Sequence, residues 1–214
     1  MTEPSDVSAT RTAYNTVAID YAELLRTELA NKPFDRGMLA TFAELVRAAG
    51  NGLVADIGCG PGRITNHLSS LGVTAFGIDL SPEMVAVARR DYPALRFDVG
   101  TMETLDLADG TLGGIVAWYS IIHTPPERLS RVFEEFNRVL AADGILLLAF
   151  QTGDERRRIE HAYGHDLALD AYRLPPDGIA AMLRDAGMIV QAQLLREPDE
   201  REKTPQAFVL ARRP

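Results

Sequence analysis

Cysteine is nearly absent from this sequence. The 214 residues include one cysteine, Cys59. A single thiol cannot form a disulfide within the chain or build a cysteine-rich metal cluster, so the fold must be stabilised by an apolar core. Cys59 stands in a glycine-rich segment with no basic residue beside it. This setting favours a small packed side chain over a catalytic thiol.

Long apolar runs are missing as well. No segment approaches the ~20 consecutive apolar residues of a membrane-spanning helix. The opening letters, MTEPSD, lack the basic start and apolar centre of a secretory signal. We therefore expect a cytoplasmic protein with no membrane partner.

Basic residues are fewer than acidic residues in this sequence. The chain has 22 basic and 30 acidic residues, which give a net charge of −8. Nucleic-acid binders gain most of their affinity from cations that neutralise phosphates, so we expect no nucleic-acid partner. The one dense basic run, residues 156–158 (RRR), lies among acids, and we interpret it as a solvated face.

Apolar residues, by contrast, suffice for one large core. Hydrophobic residues make up 46% of the sequence and charged residues 24%, which is ordinary for a globular protein. A chain of this length fits one domain, residues 1–214, that can bury both faces of a sheet.

The strongest local pattern is a short apolar strand that runs into closely spaced glycines. Residues 53–57 (LVADI) predict a buried strand, and Gly58, Gly60 and Gly62 follow it. Residues 63–72 then show the apolar spacing and the final glycine of an amphipathic helix. A strand, glycine loop and helix in this order bring bare backbone close to a ligand.

An acid follows at the end of the next predicted strand, residues 73–78. Asp79 lies about twenty residues beyond the glycines, where a carboxylate can accept hydrogen bonds from ribose hydroxyls. The pattern therefore indicates an adenosine-containing ligand. In a nicotinamide dinucleotide motif the third glycine comes three residues after the second. Here it comes at Gly62 and Arg63 follows, which weakens the dinucleotide interpretation.

These motifs resemble those of the class I S-adenosylmethionine-dependent methyltransferases that act on small molecules. Residues 56–62 (DIGCGPG) match the glycine motif of that family, and residues 77–84 (GIDLSPEM) look like its second motif. The resemblance continues to the C-terminus and implies a doubly wound, Rossmann-like α/β fold. Such a fold has a mostly parallel sheet of seven strands in the order 3-2-1-4-5-7-6, with an antiparallel final strand and helices on both faces.

The resemblance also implies a cofactor, S-adenosylmethionine, with S-adenosylhomocysteine as its product. Asp56 and the backbone of residues 58–62 would hold the methionine part, and Asp79 would hold the ribose. Thr101 stands where many relatives have an acid that contacts adenine, so the adenine contacts are the least determined. The expected cofactor-binding residues are Asp56, Gly58, Cys59, Gly60, Gly62, Asp79, Leu80, Thr101, Met102, Ser120, Tyr14 and Tyr21.

The N-terminal region is expected to form a helical lid, residues 1–50. Residues 1–10 are small and polar, which predicts a frayed end, and helical spacing of apolar residues begins only at residue 11. Tyr14 and Tyr21 lie in a segment that looks like the family's N-terminal segment, which folds over the cofactor. Simple core packing would explain the two tyrosines equally well.

Acceptor chemistry is expected just after the fourth predicted strand, because ligands of α/β sheets collect beyond the carboxyl ends of strands. His123 is the candidate general base there, since histidine takes up a proton near neutral pH. Local ordering of the loop is an equally simple role for it. Tyr119 would orient the acceptor or only pack, and Ser120 would border it. Thr124 begins the sequence TPPE, which predicts a capping box for the next helix.

Residues 151–173 form a long, charged segment at the point where this family inserts a substrate cover. His161 and His165 would meet on a helix and, together with Asp166, could bind a metal ion. Gly164 weakens such a helix, so we expect no metal site.

The function implied by these residues is methyl transfer from S-adenosylmethionine to a small-molecule acceptor that the sequence does not identify. Two alternatives stay open: a protein that senses S-adenosylmethionine without turnover, and a nicotinamide-dependent oxidoreductase. The sequence gives no indication of the oligomeric state.

Overall fold

The fold is built on a seven-stranded sheet in the order β3-β2-β1-β4-β5-β9-β8. A computed structural model describes residues 3–50, 52–200 and 202–214. The strands of the sheet are β1 (Leu53–Ile57), β2 (Ala75–Asp79), β3 (Phe97–Val99), β4 (Leu112–Trp118), β5 (Leu140–Gln151), β8 (Ile189–Arg196) and β9 (Gln206–Arg212). Between β5 and β8 the chain forms a separate two-stranded ribbon, β6 (Arg156–Ala162) and β7 (His165–Tyr172).

The pairing confirms the fold class that the sequence predicted. Strands β3, β2, β1, β4 and β5 are parallel to one another, whereas β9 is antiparallel to both β5 and β8. The last strand of the chain, β9, therefore lies in the sheet between β5 and β8. Parallel strands place their carboxyl ends along one edge, and that edge is where a ligand site forms.

Six helices and two short 3-10 turns complete the described part of the chain. The helices are α1 (Ser5–Leu25), α2 (Pro33–Ala48), α3 (Arg63–Ser70), α4 (Pro82–Asp91), α5 (Pro126–Val139) and α6 (Pro176–Asp185), and the turns are Glu28–Asn31 and Ile121–His123. Among the described residues, no helix is both long and apolar enough to cross a bilayer.

Apolar residues cover the sheet on both faces. Phe133 and Phe136 of α5 are fully buried in one core, whereas Phe42 of α2 and Leu68 of α3 are fully buried in the other. Burying a large apolar side chain contributes roughly 1.5–3 kcal/mol, so these two layers supply the main stabilisation of the sheet.

Three local predictions were wrong. Helix α1 already begins at Ser5, so residues 5–10 are not frayed, and Met1 and Thr2 lie outside the described residues. The helix starts early because its first turns pack over the site described below. Residues 156–172 form the β6–β7 ribbon, so His161 and His165 lie on strands and not on one helix, as the sequence had suggested.

The third wrong prediction is the capping box before α5. Pro125 is the N-cap residue of α5, and no side chain caps that end. The hydroxyl of Thr124 lies instead 3.5 Å from Met102 Sδ. By contrast, the predicted cap of α4 is confirmed, because Ser81 Oγ accepts a hydrogen bond from Met84 N at 3.1 Å.

Two glycines with nearly equal φ angles allow the cost of overpacking near the glycine loop to be separated from the cost of backbone strain. Gly62 has φ +81° and a Cβ there would lie 2.7 Å from the buried Phe97 ring, whereas Gly72 has φ +83° and its nearest neighbour would be a flexible Arg47 nitrogen at 3.7 Å. We expect Gly72→Ala to lower the free energy of unfolding by about 1–2 kcal/mol through backbone strain alone. Gly62→Ala should cost about 1–3 kcal/mol more through overpacking. Urea unfolding of both variants measures the difference, and equal losses would contradict the packing argument.

Candidate functional site

A cavity lies at the carboxyl edge of the sheet, beyond β1, β2 and β4. Its volume is about 100 Å³. The structure brings most of the residues predicted for the site to its wall: Tyr14, Tyr21, Gly58, Gly60, Asp79, Leu80, Thr101, Met102, Tyr119, Ser120 and His123. Three predicted residues, Asp56, Cys59 and Gly62, are not on that wall.

The glycines of the loop are needed for different structural reasons. A Cβ on Gly58 would lie 2.3 Å from the Cβ of Ser120, so this glycine lets the loop after β1 approach the loop after β4. Ser120 holds that approach by donating from Oγ to Ile57 O at 2.7 Å. Gly60 is different, because a Cβ there would have no neighbour closer than 3.9 Å. Its backbone faces open space, as a site for a bound molecule requires.

Asp79 joins the glycine loop to the end of β2. Its Oδ2 accepts a hydrogen bond from Gly60 N at 2.7 Å, and its Oδ1 accepts one from Ser81 N at 2.8 Å. Burial raises the pKa of this carboxyl to about 6, although both backbone hydrogen bonds act to lower it. Each carboxylate oxygen can accept further hydrogen bonds from the cavity side.

Asp56 lies behind the loop. The side chain is fully buried, and its Oδ2 accepts a hydrogen bond from Thr65 Oγ1 at 2.7 Å. Its Oδ1 has no hydrogen-bond partner among the described residues. Burial raises the pKa of Asp56 to about 7. In this structure Asp56 fixes the start of α3 and does not face the cavity.

Cys59 and Gly62 pack beneath the loop. Cys59 lies in a small buried cluster with Val85 and Ala88 of α4, and burial raises the pKa of its thiol well above the ordinary value. A Cβ on Gly77 would lie 2.6 Å from Cys59 Sγ, so β2 also needs a glycine where it passes this side chain. The neutral, buried thiol fits the packing role favoured from the sequence.

The residues expected around adenine lie along the rim formed after β2 and β3. Thr101 Oγ1 accepts a weak hydrogen bond from Glu103 N at 3.4 Å, and Leu80 O accepts one from Arg11 Nε at 3.4 Å. Thr101 also forms an isolated bridge with Thr104. The loop after β3 is therefore ordered by local contacts of its own residues, and Thr101 lines the cavity.

His123 is held by two hydrogen bonds from different parts of the chain. Its Nδ1 lies 2.9 Å from Asp170 O of the ribbon, and its Nε2 lies 2.7 Å from the hydroxyl of Tyr14. A carbonyl only accepts, so Nδ1 carries the proton, and the basic Nε2 accepts from Tyr14. Burial lowers the pKa of His123, which keeps the ring neutral near pH 7.

Tyr119 has a strained backbone at the end of β4. Its φ is +54°, an uncommon value for a residue other than glycine, and its N–H donates to Ala149 O at 2.8 Å. Burial raises the pKa of the phenol, so it stays protonated. Strained backbone of this kind concentrates at functional sites.

Sequence reasoning missed several residues of α1 that line the cavity. Asp6 and Thr10 lie there together with Tyr14, and Asp6 forms an ion pair with Arg128, which also lines it. The signal was present, because these three α1 residues are spaced by four, which places them on one helical face. Asn15 was missed too. Its Oδ1 accepts a hydrogen bond from Ser81 Oγ at 2.7 Å and so fixes α1 beside α4.

The candidate metal ligands are dispersed by the ribbon. His161 Nδ1 lies 3.1 Å from Asp166 Oδ1, whereas His165 Nε2 lies 2.8 Å from Asp20 Oδ2 of α1. Within residues 3–50, 52–200 and 202–214, no three histidine, cysteine or acidic side chains are grouped so that they could hold a metal ion.

Comparisons with known proteins point in one direction. Residues 54–144 match the family model described as a methyltransferase domain. The chain is 33% identical over 92 residues to a demethylmenaquinone methyltransferase of Chlorobaculum parvum, a match that covers 42% of this chain and 37% of the relative. It is 30% identical over 124 residues to a malonyl-[acyl-carrier protein] O-methyltransferase of Pectobacterium atrosepticum, with 53% and 48% covered. The chain thus spans less than half the length of these curated relatives.

A solved structure extends the likeness to the whole fold. Magnesium protoporphyrin IX methyltransferase from Synechocystis PCC 6803, with bound S-adenosylmethionine, superimposes with a TM-score of 0.74 at 17% identity and covers 100% of both chains. At this identity the match shows the fold. Together with the match over residues 54–144, it confirms the resemblance to class I methyltransferases that the motifs predicted.

The hydrogen bonds of His123 predict its protonation state. We expect the ring to be neutral at pH 7 with the proton on Nδ1, and we expect Tyr14→Phe to raise its pKa because the bond to Nε2 in the neutral form is lost. Histidine ¹⁵N NMR across a pH titration measures both properties. Tyr163→Phe is the matched control, since the Tyr163 ring packs edge-to-face on Tyr21 and forms no hydrogen bond with His123. A proton on Nε2 in the wild type would contradict this assignment.

Proposed function

We propose that this protein transfers a methyl group from S-adenosylmethionine to a small-molecule acceptor and releases S-adenosylhomocysteine. The observation that carries the proposal is the juxtaposition of Gly60 and Asp79. An open stretch of backbone and a carboxylate, 2.7 Å apart across the hydrogen bond that joins them, face one cavity at the carboxyl edge of the sheet. These are the two features that a sulfonium nucleoside needs for its amino-acid part and its ribose.

The cofactor-binding residues proposed are those named from the sequence. Gly58, Gly60, Asp79, Leu80, Thr101, Met102, Ser120, Tyr14 and Tyr21 would contact the cofactor directly because they line the cavity. Asp56, Cys59 and Gly62 would act from behind the loop by fixing its shape. The raised pKa of Asp56 and its unpaired Oδ1 suit a carboxyl that supports the loop from a buried position.

Room for the cofactor must come from α1. Small-molecule sites usually measure ~300–1,000 Å³, and the cavity of about 100 Å³ is narrower. Tyr14, Tyr21 and Tyr119 line this cavity and also a larger neighbour, so their rings form a partition between the two. Binding would shift this partition, which gives residues 1–50 the lid role expected from the sequence.

The chemistry asks little of the protein beyond alignment. The donor carbon is activated by its own sulfonium charge, and holding two reactants in line can supply ~7–11 kcal/mol of the barrier. When bound, S-adenosylmethionine would supply the methyl carbon and take the electron pair of the broken carbon–sulfur bond onto sulfur, and the acceptor would give up its proton. His123 Nε2 would take that proton once Tyr14 moves aside, because Nδ1 stays fixed on Asp170 O. Tyr119 would orient the acceptor at the end of β4.

The acceptor is proposed to be a small molecule that enters under residues 151–173. The ribbon β6–β7 in this segment packs against α1 and against the turn Ile121–His123. The two curated relatives are named for different acceptors, demethylmenaquinone and malonyl-[acyl-carrier protein]. The fold therefore does not determine the acceptor, and we propose that the residues of segment 151–173 select it.

The ribose contact is tested by removing the carboxylate of Asp79. We expect Asp79→Ala to weaken binding of S-adenosylhomocysteine at least tenfold, because hydrogen bonds to a charged group contribute ~1.5–3 kcal/mol. Isothermal titration measures the dissociation constant. Asp98→Ala on β3 is the control, since Asp98 pairs with Arg96 and does not line the cavity. Unchanged affinity in Asp79→Ala would remove the ribose assignment, and binding without methyl transfer to any acceptor would favour the sensor.

The raised pKa of Asp79 predicts a pH dependence of cofactor binding. The carboxylate is ionised above a pKa of about 6 and accepts hydrogen bonds best in that form. We therefore expect affinity for S-adenosylhomocysteine to fall as the pH is lowered from 7.5 through 6 to 5. Asp79→Asn should flatten this dependence, whereas Asp98→Asn should keep it. A dependence that persists unchanged in Asp79→Asn would assign it to another group.

A further inference from the structure

The basic run of residues 156–158 divides between the two faces of the ribbon. Arg156 Nη2 and Arg158 Nη1 form ion pairs with Asp170 at 2.8 Å and 3.3 Å, and more than two fifths of each arginine side chain is exposed, 62% and 49%. Arg157, between them, points to the other face and lines the larger cavity. Our interpretation of the run as a solvated face was therefore wrong for Arg157, because alternate residues of a strand face opposite sides.

A second arginine stands on the same face as Arg157. Arg157 pairs in register with Ala171, and Arg173 lies two residues further along, with its N–H donating to Glu155 O at 3.0 Å. Residues two apart on a strand share a face, so both arginines project to the same side. Arg173 also lines the larger cavity, and its buried Nε has no hydrogen-bond partner among the described residues.

Arg157 keeps its guanidinium available. Among the described residues it forms no hydrogen bond and no ion pair within 4.0 Å. Its charge helps to lower the pKa of Glu155, but that carboxylate is hydrogen-bonded to Arg173. The N–H donors of Arg157 are therefore open to water or to a ligand in the cavity. The planar guanidinium of an arginine can donate two parallel hydrogen bonds to the two oxygens of a carboxylate, a geometry that the ammonium group of a lysine does not match.

The cavity that these arginines line has the size of a small-molecule site. Its volume is about 740 Å³, and small-molecule sites usually measure ~300–1,000 Å³. Tyr14, Tyr21 and Tyr119 separate it from the proposed cofactor cavity. Ile122 adds an apolar wall beside Tyr119. A molecule anchored at the arginines would therefore extend toward the partition behind which the methyl donor is proposed to lie.

We propose that the methyl acceptor carries a carboxylate that Arg157 and Arg173 bind in this cavity. This inference rests on the proposed function, since it names the acceptor class of the same site. A monoanion is favoured over a phosphate dianion because Arg173 is already paired with Glu155, which leaves Arg157 as the unpaired charge of the two arginines. Elsewhere the wall has more acidic than basic residues: Glu28, Asp35, Asp199, Glu200 and Glu202 against Lys32, Arg63 and Lys203. Those acids would repel a second negative charge more than a single one.

Binding of matched probe pairs tests the inference. The probes are benzoate, 3-phenylpropanoate and octanoate, each beside its primary amide, together with phenyl phosphate, measured by ligand-observed NMR with saturating S-adenosylhomocysteine. We expect at least one carboxylate to bind at least tenfold more tightly than its amide. Arg157→Ala should abolish that tenfold preference, and Arg157→Lys should restore part of it.

The matched control is Arg158→Ala, which removes the same residue type from the opposite face of the same strand and should leave the preference unchanged. Equal affinities for every acid and its amide, equal effects of Arg157→Ala and Arg158→Ala, or tighter binding of phenyl phosphate would each overturn the inference. Separate titration of S-adenosylhomocysteine distinguishes the two proposals. If S-adenosylhomocysteine binds and no acid binds more tightly than its amide, only the proposed carboxylate acceptor is rejected. If it does not bind, the proposed function fails, and the probes without it still report on the arginines.

Discussion

One carboxylate holds the working edge of this molecule together. Asp79 accepts a hydrogen bond from Gly60 N on one oxygen and from Ser81 N on the other, so the glycine loop, the end of β2 and the start of α4 share one anchor. Ser81 in turn caps α4 and contacts Asn15 of α1. This carboxylate holds Gly60 of the loop by its backbone, and helix α1 is positioned by the same group of hydrogen bonds.

The parts of the fold that the sequence predicted are those with a local physical cause. The buried strand, the glycine loop and Asp79 were predicted because φ > 0 and a carboxylate at a strand end require particular residue types. The start of α1 and the ribbon were not predicted, since residues 5–10 and 156–172 carry weak local signals and are ordered by packing on distant segments. The same distinction holds for the site. The sequence motifs predicted the cavity-wall residues that lie within them, whereas Asp6, Thr10 and Arg157 lie outside the motifs and were not predicted.

His123 shows how segments distant in sequence complete the site. Its ring joins Tyr14 of α1 to Asp170 O of the ribbon, over sequence separations of 109 and 47 residues. A motif search finds a histidine after a strand but cannot assign its tautomer, which depends on a carbonyl far along the chain. Helix α1, the turn that carries His123 and the ribbon are therefore connected through one imidazole ring. In the proposed function, displacement of Tyr14 would free Nε2 of that ring and widen the cavity at the same time.

The ribbon stands outside the seven-stranded sheet. It is attached to the rest of the molecule by packing and by hydrogen bonds such as those from His123 to Asp170 O and from His165 to Asp20. Its two strands meet at a turn in which Tyr163 and Gly164 both have positive φ. Because side chains alternate along a strand, loss or gain of one residue in β6 would exchange the outward and inward arginines in a single event. A change of ribbon length would therefore alter the charge that lines the larger cavity, with the seven-stranded sheet and the smaller cavity at its carboxyl edge left untouched.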